Sequence, residues 1–210
     1  MCNCMNRGCS GCSGQWDHCG TPCFSFGPFR ASSSICPPIN TGSIIPFSSG
    51  ISGVVLTTDG TGAVATVSAL GFGTALNGIV PAADGTITLP VGTITEAFNV
   101  PRTGTISAIS ATFTETTEVT LPAGAVGTIT ARIYRAPAGS SLFTPTNAFV
   151  NLTPTVTGTV APGTVYQGTA SANVPVLPGD RLILVYSVAG TGITAAVGLT
   201  GTGTAGITIS

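Results

Sequence analysis

Seven cysteines fall within the first 36 residues, at Cys2, Cys4, Cys9, Cys12, Cys19, Cys23 and Cys36, and none follows. An odd number leaves at least one thiol without a partner in its own chain. Three chemistries fit that set. Arms from adjacent subunits can join through intermolecular disulfides, which would also order a stretch that has no core. The pair Cys9-Ser10-Gly11-Cys12, followed by Cys19 and Cys23 with His18 beside them, has a spacing that tetrahedral zinc tolerates, although Gly-Ser spacers give no finger core. The third is a reduced, unpaired tail. A redox C-x-x-C would need a thioredoxin-like βαβ setting, which is absent here. Covalent cross-linking is the reading adopted, with no metal and no cofactor expected. Trp16, Phe24, Phe26 and Phe29 lie among these cysteines. Aromatic side chains in a coreless segment point to docking on an apolar surface, by strand addition or groove insertion into a neighbour, or back on the same domain.

The remaining composition removes most catalytic options. The 210 residues include six Arg, no Lys, seven acidic residues and one His. Without lysine there is no Schiff-base nucleophile and no P-loop. His18 is the single imidazole and lies far along the chain from the body, so a Ser-His-Asp triad is not expected. Glu96, Glu115 and Glu118 with Asp84 are of the kind a glycosidase pairs. In a chain with so few acids they read as solvated strand positions or partners for Arg102, Arg132 and Arg135. The protein is therefore read as a non-enzyme.

Charged residues make up 6% of the chain, against roughly 25% in an average soluble domain. The formal net charge is -1 and the mean hydropathy +0.52. A nucleic-acid binder needs a basic stripe, and a helical bundle needs Glu, Lys, Arg and Leu in quantity. Charge-driven disorder needs a high net charge. A net charge near zero favours association over dispersal.

Two regions must position these residues. Residues 1–40 form a Cys-rich arm, too short and too poor in aliphatic residues for a core of its own. Cys36-Pro37-Pro38 reads as an extended linker. Residues 41–210 are long enough for one β-domain. There Thr alternates with aliphatic residues, a pattern that suits a pleated, half-buried surface. Val126 to Arg135 puts Ile129, Ala131 and Ile133 on one face and Thr128, Thr130 and Arg132 on the other. Thr105–Thr114 and Ile94–Val100 alternate likewise. Further strands are expected at Val54–Thr58, Val64–Leu70, Glu118–Leu121, Phe149–Val156, Val165–Asn173, Arg181–Val188, Ile193–Leu199 and Gly203–Ile209. Thr58-Asp59-Gly60, Ala83-Asp84-Gly85, Pro122-Ala123-Gly124, Pro162-Gly163 and Pro178-Gly179-Asp180 mark turns between them. Almost no helix is expected, and the spacing predicts a sandwich or jelly roll.

Leu182-Ile183-Leu184-Val185 is apolar on both faces, so both must be covered, within the domain or by another subunit. The uncharged stretch Leu182–Ser210 is mostly Gly and Thr after Val188, which argues against a membrane span. Met1–Ser34 contains no apolar run of the kind a secretory signal carries. Asn151-Leu152-Thr153 is a formal glycosylation sequon.

Several segments resemble one family. Ile44-Ile45-Pro46-Phe47-Ser48-Ser49-Gly50, Gly71-Phe72-Gly73, Phe98-Asn99-Val100-Pro101-Arg102-Thr103-Gly104-Thr105-Ile106-Ser107 and Ile129–Tyr134 are similar to the C-terminal domain of BclB-type exosporium glycoproteins. Pro178-Gly179-Asp180-Arg181-Leu182 resembles the turn before a core strand in trimeric tumour-necrosis-factor-like jelly rolls, and Ala205–Ile209 fits their closing strand. The likeness covers residues 44–210. It implies an all-β, antiparallel jelly-roll sandwich of tumour-necrosis-factor type that trimerises on a bacterial spore surface. The family's collagen-like stalk is missing. Gly8, Gly11 and Gly14 keep a three-residue period only briefly. A Cys-rich connector in front of a β-domain instead resembles subunits of endospore appendages, in which one subunit's arm reaches into its neighbour.

The resulting expectation is a structural subunit of an endospore surface fibre or exosporium layer. It would assemble as homotrimers joined through Cys2–Cys36, Trp16, Phe24 and Phe26, with spore-surface anchor proteins as further partners and neither nucleic acid nor membrane. The competing expectation is a terminal trimeric knob, adhesin or glycan-binding module tethered to the exosporium by the same arm.

Overall fold

The alternation of Thr with aliphatic residues becomes strands in the computed structural model, which describes residues 42–89 and 97–210. In chain order the strands are β1 (Ser43–Ser48), β2 (Val54–Thr58), β3 (Val64–Leu70), β4 (Ala75–Ile79), β5 (Ile87–Thr88), β6 (Phe98–Asn99), β7 (Gly104–Glu115), β8 (Val119–Thr120), β9 (Val126–Ala136), β10 (Leu142–Asn151), β11 (Val156–Thr157), β12 (Thr159–Val160), β13 (Val165–Val176), β14 (Arg181–Thr191) and β15 (Gly198–Ile209). The helical content of the described residues is the 3-10 turn Gly50–Ser52.

All strand pairs are antiparallel, and the hydrogen-bonded order runs β13-β7-β15-β2-β3-β14-β9-β10-β5. The path folds over at β2 and β3 into two layers. The first holds β13, β7 and β15, with β1 and β2 one after the other along β15. The second holds β3, β14, β9 and β10. Successive long strands alternate between the layers, apart from the β9–β10 hairpin. That strand order is a jelly roll, so the expected all-β antiparallel architecture holds.

Between the layers lies a core that includes Leu56, Ile106, Ile109, Phe113, Ile129, Ile133, Tyr166, Leu182, Leu184, Tyr186 and Ile207. The inward face of β15 meets its largest rings. A Cβ at Gly203 would lie 2.8 Å from Tyr186 Cε2, and one at Gly201 2.6 Å from Phe113 Cζ. The Gly-Thr-Gly-Thr run is thus a pattern of absent inward side chains and present outward hydroxyls.

The two-faced strand finds both its covers inside the domain. Leu182 and Leu184 face the inter-layer core. Ile183 and Val185 face outward, where Ile79, Ile87 and Leu89 close over them together with Tyr134 and Phe143. Residues 75–89, which carry β4 and β5, thus strap the second layer. Each aliphatic side chain so covered contributes about 1.5–3 kcal/mol.

Some boundaries differ from the expected ones. Residues 193–197 lie outside any strand, and β15 runs unbroken from Gly198 because β2 pairs with Gly198–Gly201 and β7 pairs with it from Gly201 onward. β10 begins at Leu142, earlier than the sequence suggests, because Pro145 and the register shift before Phe149 hide its periodicity. At the expected turns, Gly163 and Gly179 take φ of 88° and 87°, the left-handed region that favours glycine.

Two predictions follow from the packing. Gly203→Val should cost about 2 kcal/mol of unfolding free energy by forcing the Tyr186 ring aside, read by urea denaturation. Burial holds Tyr186, Tyr134 and Tyr166 above the ordinary tyrosine value of 10.0. Their neutral forms therefore favour the folded chain. Their contribution to stability should be intact below pH 10.0 and fall as pH rises beyond it, read from alkaline denaturation curves.

Candidate functional site

Cys2, Cys4, Cys9, Cys12, Cys19, Cys23, Cys36, Trp16, Phe24 and Phe26 all lie outside the described residues, as do His18 and Glu96. Among the described residues there is no group of three potential metal ligands. No described helix is long and apolar enough to cross a membrane.

The carboxylates do not gather. Asp84 accepts from the backbone N–H and the hydroxyl of Thr86 within its own turn, and these bonds hold it below the usual carboxylate range. Asp59 does the same with Thr61, and its pKa too is lowered. Glu118 is exposed. Glu115 departs from the expectation of a solvated strand position, being 0% exposed. Its Oε1 accepts from Thr200 N–H and the Thr117 hydroxyl, both at 3.0 Å, while Oε2 has no partner among the described residues. Backbone bonds to Thr164 and Gly163 complete the junction where β7, β15 and the Pro162-Gly163 turn meet. Its role is structural.

The arginines also have other partners than expected. Arg135 lies 3.8 Å from Asp180 and donates to Pro175 O at 2.8 Å. Arg132 sits 4.4 Å above the Phe149 ring. Arg132 and Arg135 belong to β9 and Arg181 to β14, all in the second layer.

The first layer's outward face is built differently. Across β1, β15, β7 and β13, one row holds Ile44, Thr208, Ala108 and Ser171. The next holds Pro46, Gly206, Ser110 and Thr169, and the third Ser48, Thr204, Thr112 and Gln167. Thr202, Thr114 and Val165 form a fourth row. None of these positions is charged, and Ile44 is 75% exposed. Sequence reasoning gave the alternation but not the face, because the rows come from three strand registers. The clue was the T-x-T spacing of Thr112 and Thr114 and of Thr202 and Thr204.

The edges of this layer are blunted without charged side chains of their own. β1 carries Pro46, which has no N–H to offer. On β13 the backbone of Gln167 is paired both ways with Thr153 at 2.9 Å, the register shifts between Ser171 and Val174, and Pro175 O is taken by Arg135. Proline, bulges and covered edges are how sheets avoid lateral pairing. The first layer therefore presents an uncharged outward face, while its flanks resist extension. A trough of about 390 Å³ lies on this face, lined by Ser110, Thr112, Thr153, Gln167 and Thr169. Ser110 and Thr169 share a hydroxyl–hydroxyl bond of 2.9 Å within it.

No family model and no curated protein matches the chain. Among solved structures it is similar to the Eiger tumour-necrosis-factor protein from S. frugiperda, at 11% identity and a TM-score of 0.35, over 80% of this chain and 92% of that one. A likeness at that score adds nothing to the strand order.

The Glu115 junction yields a direct test. Glu115→Gln keeps an oxygen acceptor for the Thr200 N–H, so its thermal stability should stay closer to the parent's than that of Glu115→Leu. Glu115→Leu orphans the Thr200 N–H and should cost about 1–3 kcal/mol.

Proposed function

We propose that the chain is a self-assembling structural subunit of a bacterial endospore surface fibre or exosporium layer. The observation that carries this reading is the uncharged outward face of β1, β15, β7 and β13. An interface core is depleted in charge, and this face has none to desolvate. Its blunted edges favour face-led association, a closed oligomer such as the homotrimer, over lateral growth of the sheet. Longitudinal joining then falls to the arm, with disulfides among Cys2–Cys36 locking one oligomer to the next and Trp16, Phe24 and Phe26 docking on the neighbour. The spore surface as the location, and anchor proteins there as partners, rest on the sequence resemblance to exosporium glycoproteins. One observation favours the second reading, a knob or glycan-binding module. The trough on the same face offers hydroxyl and amide groups of the sort that pair with a neutral saccharide.

Electron microscopy of the full chain with non-reducing gels should show regular filaments and a covalent ladder. An all-Cys→Ser arm should abolish the ladder and the filaments while leaving the oligomer. Thr112→Asp with Thr204→Asp should weaken the oligomer roughly 100-fold in sedimentation equilibrium, because carboxylates would be buried without partners. Discrete particles unaffected by either change would sink the fibre reading, and saccharide binding by such particles would establish the second.

A further inference from the structure

The chain contains a single Asn-Gly dipeptide, Asn77-Gly78, in β4. Asparagine followed by glycine holds a latent intramolecular reaction. The glycine backbone nitrogen can close on the preceding side-chain amide carbon, because no Cβ shields the approach. Three features of the fold act on this pair.

The nucleophile is outside the regular ladder. Val67 pairs with Ile79 and Ala69 with Leu76, so Asn77 and Gly78 together stand opposite Ser68 alone. Such a bulge leaves one residue unpaired. Gly78 is exposed at φ 75°, and nothing lies within 4 Å of where its Cβ would be.

The electrophile is polarised. Asn77 Oδ1 accepts from the Val55 N–H at 3.2 Å and from the hydroxyl of Ser68, a residue that is 0% exposed, at 2.5 Å; that hydroxyl also lies 2.7 Å from Val55 O, so its one proton is shared between the two acceptors. Donors fixed on a carbonyl oxygen stabilise the negative charge it gains under attack. The leaving group is weakly held, since among the described residues Nδ2 has one hydrogen bond, to Gly53 O at 3.5 Å.

We propose that Asn77 is a site of intramolecular deamidation, driven by the fold rather than resisted by it. The Gly78 nitrogen forms a bond to Asn77 Cγ and gives its proton to solvent hydroxide. The Cγ–Nδ2 bond breaks, and Nδ2 takes up a proton and departs as ammonia. Water then opens the cyclic imide at either carbonyl to leave aspartate or isoaspartate, with no oxidant or reductant involved. The product adds one negative charge to a chain whose formal net charge is -1, and sets that charge against the carbonyl of Gly53. The isoaspartate form also lengthens the backbone of β4. Leu76 and Ile79 of that strand pack into the cluster beneath the strap, so the strap loosens as the modification accumulates.

The test compares the intact protein at mildly alkaline pH with the same chain in denaturing urea. Peptide mass spectrometry follows the amide-to-acid change at Asn77, and enzymatic methyl transfer reports isoaspartate. The folded chain should react at least about threefold faster than the unfolded one, and Ser68→Ala should slow the folded chain about tenfold with no change in urea. A folded rate equal to or below the rate in urea overturns the proposal, as does an unaltered rate in a folded Ser68→Ala chain. Where Ser68→Ala does not fold by circular dichroism, the comparison between folded and unfolded wild type decides alone.

Discussion

The rings of Phe113 and Tyr186 lie between the two layers with their centroids 6.1 Å apart, and the fold closes around them. They fit because β15 offers glycine at Gly201 and Gly203 where they press against it. The Tyr186 hydroxyl, from the second layer, reaches Thr112 O at 2.9 Å and Thr204 O at 2.8 Å in the first. One phenol thus joins β14 to both β7 and β15, and a buried hydroxyl without such partners would cost 1–3 kcal/mol or so. Thr112 and Thr204 also carry the outward hydroxyls of the uncharged face. The packing that holds the layers together and the surface that faces outward are therefore set by the same two strands.

Charge is distributed by layer. In the second, Arg132 and Arg135 contact the Phe149 ring, the carbonyls of Thr146 and Pro175, and Asp180. Asp180 is buried and the arginines are partly exposed, so each guanidinium keeps part of its charge at the surface on that side. The first layer has no such groups outward. Its hydration rests on hydroxyls, which are less costly to desolvate than a charge. A surface of this composition tolerates water and tolerates burial.

Much of the architecture was legible from periodicity. β9, and β7 from Ile109 onward, follow the alternation of aliphatic residues with polar ones almost residue for residue. The signal failed where a strand is irregular or lacks side chains. β4 carries the Asn77-Gly78 bulge, β10 breaks register before Phe149, and inward glycines on β15 imitate a loop. Glu115 failed for another reason. A carboxylate on an alternating strand reads as solvated unless its neighbours are known, and here the neighbours come from β15 and a distant turn.

The sequence by itself determined an all-β body, its turns, a near absence of charge and the confinement of every cysteine to the first 36 residues. These are local or compositional properties, readable without knowing which strands meet. Only the tertiary structure decided that Ile183 and Val185 are covered by residues 75–89 of the same chain, that Glu115 is buried, and that uncharged positions from four strands form one face. Each of those depends on register between strands far apart in the chain. A slip of one residue would send every side chain of a strand to the opposite surface.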